Sequence, residues 1–242
     1  MRSAVEAAQK GWPRPVRSRV PINALIPPVP PAEAADIGLE AIRQGITCLK
    51  VKVGVGDDLG RVSEIRNAVG PGVKIRIDAN GAWDLDTACR HLRALARYDL
   101  ELAEQPVASL EDLALLRRLV AIPLAADEAV RGLDDARRLV RLEAADMLVV
   151  KVQPVGGVRA ALAIVEAAGV PAIVTSMFET SVGLAAGVAL AAALPELPFA
   201  CGLATATLLD ADVTKEPLVP RNGVLEVRPV VADPELLERY SV

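Results

Sequence analysis

Apolar residues recur along this chain with two alternating periods. Short stretches in which every second residue is β-branched or aliphatic read as strands, and longer stretches with apolar residues three and four apart read as helices. The strand pattern falls at residues 20–26, 47–54, 73–78, 99–104, 122–127, 147–152, 171–175 and near 199–202. The helical pattern falls between them. Leu59, Val62, Ile65 and Val69 form one helical face, and Leu85, Ala88, Leu92 and Leu95 form another. Leu110, Leu113 and Leu116 open a third, and an Ala-rich helix is predicted over residues 181–193. Further helices are predicted between the proline cluster at 27–31 and Gly45, over 134–142, and from Gly156-Gly157 to Ala168. Strands alternating with helices call for a parallel sheet. At this length an α/β barrel of the (β/α)8 type, closer to (β/α)7β because the last unit is irregular, fits better than an open doubly wound sheet. No Gly-x-Gly-x-x-Gly follows the first strand to favour that alternative.

The ends depart from the pattern. Residues 1–11 read as the last turns of an amphipathic helix closed by Gly11, and residues 14–19 as a Pro/Arg linker. Near the other end, Pro217-Leu218-Val219-Pro220 and Val224-Leu225-Glu226-Val227 flank Asn222-Gly223, a two-residue hairpin signal. The expected division is a helical stub and linker over 1–18, the barrel over 19–213, and a hairpin with its tail over 214–242.

Composition narrows the function classes. The 242 residues are 52% hydrophobic but only 2% aromatic, so the core is built from Ala, Val, Leu and Ile. A net charge of −4 gives no basic footprint for nucleic acid and no reason for a membrane surface. No apolar run approaches the roughly 20 residues of a membrane span. The first residues lack the apolar core of a signal peptide. Three scattered cysteines, Cys48, Cys89 and Cys201, suit a reducing compartment without disulfides. The expectation is a cytoplasmic protein.

The candidate chemistry begins on the second predicted strand, where Cys48, Lys50 and Lys52 share one face. Lysine is rarely buried without a partner, so the pair is either a solvated strand edge or part of a polar site. The polar residues at successive strand ends decide between these. They are Lys52, Asp78, Glu104, Asp127, Lys151 and Ser176, at intervals of 26, 26, 23, 24 and 25 residues. Each interval is one βα unit, so all six are expected at the carboxyl-terminal mouth of the barrel, where barrel active sites lie. Three carboxylates at one mouth repel each other unless a cation sits among them. All-oxygen ligation without His or Cys suits Mg²⁺. With lysines on either side, the set is suited to removing a proton α to a carboxylate while the metal stabilises the enediolate. A structural alternative is a buried ionic network of the same lysines and acids. The lone His91 reads as a solvated helix residue.

The motifs resemble those of the enolase superfamily over nearly all of residues 20–230. Lys50-Val51-Lys52 is similar to the catalytic motif of its lysine-dependent branch. Asp78-Ala-Asn80-Gly81-Ala-Trp83, Glu104-Gln105-Pro106 and Asp127-Glu128 are similar to its three metal-ligand segments, and Lys151 to its sixth-strand lysine. Within the superfamily, Arg76-x-Asp78, the segment from Thr175 to Gly183, and Cys201-Gly-Leu203 resemble the actinobacterial o-succinylbenzoate synthases.

The resemblance implies a Mg²⁺-dependent hydro-lyase acting on a small carboxylate in menaquinone biosynthesis. It makes Lys52 and Lys151 catalytic and Asp78, Glu104 and Asp127 the metal ligands. Lys50, Asn80, Gly156, Gly157 and Ser176 become substrate or supporting residues, with Lys50 easing proton loss from Lys52 by like-charge repulsion. Arg76 is expected to be structural, paired with acids below the site. The alternative is an N-succinylamino acid racemase or a dipeptide epimerase, which share these lysines. Dipeptide epimerases differ in carrying Asp-x-Asp where this chain has Cys201-Gly-Leu203. Family members begin with a capping domain, of which only the stub over 1–11 is expected here, through truncation or a misplaced start. A third alternative follows, a metal-binding barrel with little catalysis that exposes an apolar patch around 1–12 and 217–228 and self-associates through it.

Overall fold

The computed structural model describes residues 11–240, so the predicted helix over 1–11 lies almost wholly outside the described residues. Seven parallel strands form one curled sheet in chain order. They are β2 (Ala24–Ile26), β3 (Cys48–Lys52), β4 (Lys74–Asp78) and β5 (Leu100–Glu104), followed by β6 (Leu124–Ala126), β7 (Met147–Lys151) and β8 (Ala172–Thr175). Between β2 and β8 each crossover carries a helix. These are Pro31–Arg43, Asp58–Val69, Leu85–Leu95, Leu110–Arg117, Leu133–Leu142 and Val158–Ala168, and Ser181–Ala193 follows β8. Helix starts are set by local chemistry. Asp57, Asp84 and Ser109 accept hydrogen bonds from Gly60, Thr87 and Asp112 backbone N–H groups, and Pro31 occupies a first-turn position.

The expected eighth strand is reduced to a pair of bridges. Cys201 bridges Ile22 on one side, and Gly202 bridges Thr175 on the other. Cys201 N–H donates to Pro21 O at 2.8 Å and Gly202 N–H to Val174 O at 2.9 Å, which closes the barrel. Glycine is needed there: a Cβ on Gly202 would stand 2.6 Å from Thr175 Oγ1. The predicted first strand is also divided. Ala24–Ile26 pairs with β3, while residues 21–23 join the barrel through Cys201. The preceding β1 (Arg19–Pro21) instead pairs antiparallel with β9 (Val224–Glu226).

That pairing corrects the expected hairpin. Its turn is present, with Asn222 at φ 50° and Gly223 at φ 73°. Residues 217–220, however, form no strand, and the second arm has the chain's own β1 as its partner. Leu218 and Leu225 are buried while Pro217 and Val219 are exposed, so the apolar patch expected over 217–228 is only partly present. Leu218 N–H donates to Ser181 Oγ at 2.7 Å, and Asp212 also holds Ser181 Oγ at 2.6 Å. The turn is pressed onto the loop before β3: a Cβ at Gly223 would stand 2.2 Å from Gly45 O. Gly223→Ala therefore meets both left-handed backbone strain and a clash. We expect a loss of about 1–3 kcal/mol, read as a lower urea midpoint; an unchanged midpoint would contradict the packing.

The barrel has two cores. A large outer one fills the space between strands and helices. A small inner one holds Leu102, Ala125, Met147, Val149 and Ile173, with Phe199 packed against it. It lies on the β5–β8 side. The β3–β4 side presents Lys50, Lys52, Arg76 and Asp78 instead. Among the described residues, no helix is long and apolar enough to cross a membrane.

Candidate active site

The ends of β3, β4 and β5 are in register, with Lys52 opposite Asp78 and Asp78 opposite Glu104. This register places successive strand-end charges side by side. Lys50 Nζ lies 2.9 Å from Asp78 Oδ2 and 2.7 Å from Glu104 Oε1. Lys52 Nζ reaches the same Asp78 oxygen at 2.5 Å and Asn80 Oδ1 at 2.6 Å. Across the mouth, Lys151 pairs with Asp127 and stands 4.0 Å from Glu128 Oε1. Asn80 Nδ2 donates to Glu128 Oε1 at 2.9 Å, so a polar chain links the two sides. The backbone end of β3 is itself tied down. The buried Arg61 guanidinium donates to the Lys52, Val29 and Val55 carbonyls and to Asp58.

Electrostatics follow from this crowding. Burial disfavours the Lys50 ammonium, yet Glu104 and Asp78 outweigh it and raise its pKa, so Lys50 remains a cation. Burial also opposes ionisation of Asp78, but Lys50 and Lys52 together hold its pKa below the usual carboxylate range. Glu104 goes the other way, to about 8: burial raises it, and the Asp78 and Asp127 charges add to that against the pull of Lys50. The fields of the three carboxylates therefore overlap at Glu104.

Among the described residues no three His, Cys, Asp or Glu side chains already form a metal-binding cluster. Lysine ammonium groups pair with each expected ligand, which is the ionic network of the structural alternative. Two features separate the site from a sealed network. Lys50, Lys52, Asp78, Asn80, Asp127, Lys151 and Ser176 all line one cavity of about 680 Å³. Asp78 and Asp127, whose charges raise the proton affinity of Glu104, make with it an all-oxygen donor set that a hard divalent cation fits. The oxygen donors present thus suit such an ion, which would compete with the lysines that pair with them here.

The other expected residues are placed as follows. Glu104 is buried beneath the cavity rather than on its wall. Ser176 Oγ lies 2.8 Å from Thr205 Oγ1, within the wall. Gly156 and Gly157 precede the Val158–Ala168 helix and do not line the cavity. His91 is half-buried on its helix, its ring stacked on Trp83 with centroids 4.8 Å apart. Arg76 is structural, held by Glu101 at 2.5 Å and the Ala200 carbonyl at 2.7 Å. The sequence reading missed the exposed Met177, Phe178 and Leu208 at the rim, and Glu128 as a wall residue. The only signal for Glu128 was its position beside Asp127.

Residues 33–231 match the model of the "Enolase C-terminal domain-like" family. The chain belongs to this family. Membership of this enolase C-terminal domain-like family implies use of a divalent metal. It is 55% identical to the o-succinylbenzoate synthase of Thermobifida fusca, across 98% of this chain and 75% of that protein. Among solved structures it is similar to muconate cycloisomerase from Pseudomonas fluorescens, with TM-score 0.88 and 29% identity over 93% of this chain and 66% of that one. It is also similar to the dipeptide epimerase from Enterococcus faecalis, with TM-score 0.84 and 30% identity over 94% and 70% of the two chains.

Proposed function

We propose that this barrel is the catalytic part of an o-succinylbenzoate synthase, a Mg²⁺-dependent hydro-lyase. It removes water from the succinyl hydroxycyclohexadiene carboxylate SHCHC to give aromatic o-succinylbenzoate. The observation that carries the reading is that Lys52 and Lys151 approach one cavity from β3 and β7, flanking the three carboxylates. The 55% identity to a synthase of that name supports the choice of substrate.

Asp78, Glu104 and Asp127 would hold Mg²⁺. When bound, the ion supplies Lewis-acid stabilisation of negative charge developing on the ring carboxylate. Lys52 takes the proton α to that carboxylate. It then returns the proton to the departing hydroxyl, which leaves as water. Lys151 stays cationic and stabilises the anion from the opposite face. Lys50, kept charged by Glu104 and Asp78, sits against the same Asp78 oxygen as Lys52. Met177, Phe178 and Leu208 offer apolar contact to the carbocycle, and Ser176 with Thr205 offers hydroxyls to the succinyl end. Cys201 and Leu203 are both buried and carry no carboxylate for a substrate amine, which disfavours dipeptide epimerisation. We place the reaction in the cytoplasm, in keeping with Cys48, Cys89 and Cys201 all being free thiols.

The test is turnover of purified protein with SHCHC, with Mg²⁺ and with excess chelator, alongside an N-succinylamino acid. Chelator-sensitive formation of o-succinylbenzoate is expected. Racemisation of the N-succinylamino acid without dehydration would replace the reading with a racemase. Mg²⁺ binding without turnover of either would leave an inert metal-binding barrel.

A further inference from the structure

Gln105 sits between the expected ligand Glu104 and Pro106, where its role is not apparent from residue type. It is 1% exposed. Its φ of 38° puts a non-glycine residue in the left-handed region, an arrangement that persists only where surroundings enforce it. Every polar group it carries is used. Its backbone N–H donates to Ala125 O at 2.8 Å, and its carbonyl accepts from Gly81 N–H at 2.6 Å. Its side-chain Oε1 accepts from the backbone N–H of Asp127 at 2.7 Å and of Ala129 at 3.2 Å. Its Nε2 donates to Val107 O at 2.7 Å.

These bonds reach all three acid-bearing segments. Gly81 lies in the loop that follows Asp78, Glu104 is the neighbour in sequence, and Asp127 is held through its own N–H. We infer that Gln105 is a positioning residue that sets the spacing of the Asp78, Glu104 and Asp127 strand ends and so the affinity for a divalent cation. The strained backbone turns the side chain across to β6 instead of leaving it along its own strand. Within its own segment Asp127 is held at its carbonyl, which accepts from Val130 N–H at 2.9 Å, whereas its N–H has Gln105 Oε1 as partner. The inference rests on the metal-dependent reading above.

The test is Mn²⁺ binding to wild type and to Gln105→Met, which keeps the length of the side chain and removes its hydrogen bonds. Free Mn²⁺ is counted by electron paramagnetic resonance, and the spectrum of the bound ion reports its coordination. Binding about 10–100-fold weaker, with an altered bound-ion spectrum, is expected. Leu116→Ala, a core truncation away from the site, controls for simple destabilisation and should bind Mn²⁺ within about twofold of wild type. Gln105→Met binding that is equally unaffected, with an unchanged spectrum, would overturn the inference. So would an equal loss in Leu116→Ala. Wild type that binds no Mn²⁺ would overturn the metal-dependent reading itself. If Gln105→Met does not fold, hydrogen exchange of wild type decides: Asp127 and Ala129 amides must be protected like strand amides, and free exchange would overturn the inference.

Discussion

Lys52→Ala is expected to slow SHCHC turnover by about 10²–10⁴-fold, the range contributed by a positioned general base, while the protein still binds Mg²⁺. The separation of the two effects is the informative part. Lys52 contacts Asp78 Oδ2, but Lys50 contacts the same oxygen at 2.9 Å, so truncating Lys52 does not strip Asp78 of its partner. Its Nζ also reaches Asn80 beside the cavity, whereas Lys50 is turned down between Asp78 and Glu104. Both lysines line the cavity, but the Lys52 side chain is 28% exposed against 12% for Lys50, so Lys52 is the one more open to substrate. Steady-state kinetics and calorimetric Mg²⁺ titration check both halves. Turnover within tenfold of wild type would remove Lys52 from the mechanism. Loss of Mg²⁺ binding would make its role one of holding Asp78.

The largest stability effect is expected at Arg76. Its side chain is 2% exposed and donates to Glu101, whose side chain is 16% exposed, and its guanidinium lies 5.6 Å from the Phe199 ring centroid. Arg76→Met leaves the Glu101 carboxylate inside the barrel without its counter-charge. Removing one partner of a buried pair costs about 3–5 kcal/mol, and the partial exposure of Glu101 argues for the lower end, about 3 kcal/mol. Replacing both, as Arg76→Met with Glu101→Leu, removes the orphaned charge and should recover at least half of that loss. Urea midpoints of the single and double variants test this. A double variant no more stable than the single would show that Arg76 acts through packing and its bond to Ala200 O, not through the ion pair.

Glu101 also shows where sequence reading stopped. Between Ile75↔Leu100 and Arg76↔Leu102 the pairing of β4 with β5 shifts by one residue, and Glu101 is the extra one. A bulge re-aims a side chain, so strict alternation assigns Glu101 no partner, although acids near Arg76 were expected. The stacking of His91 on Trp83 is likewise not legible from the helix alone, since Trp83 precedes the helix and belongs to another local pattern. The motif around Gln105 does not reveal its role, since its hydrogen bonds cross to a strand end some twenty residues away.

The sequence by itself determined the alternation of strands and helices and the residues that end each strand. It did so because periods of 2 and 3.6 are local, and because a charge repeated once per βα unit returns to the same end of a barrel. The tertiary structure alone decided which groups meet. Arg19 pairs with Glu226 and Ile22 with Cys201 across most of the chain, and the eighth barrel position is filled by Cys201 and Gly202 rather than a strand. Those choices depend on hydrogen-bond partners brought together by closure of the sheet and on a one-residue shift beside Glu101. None of these is encoded in a local period.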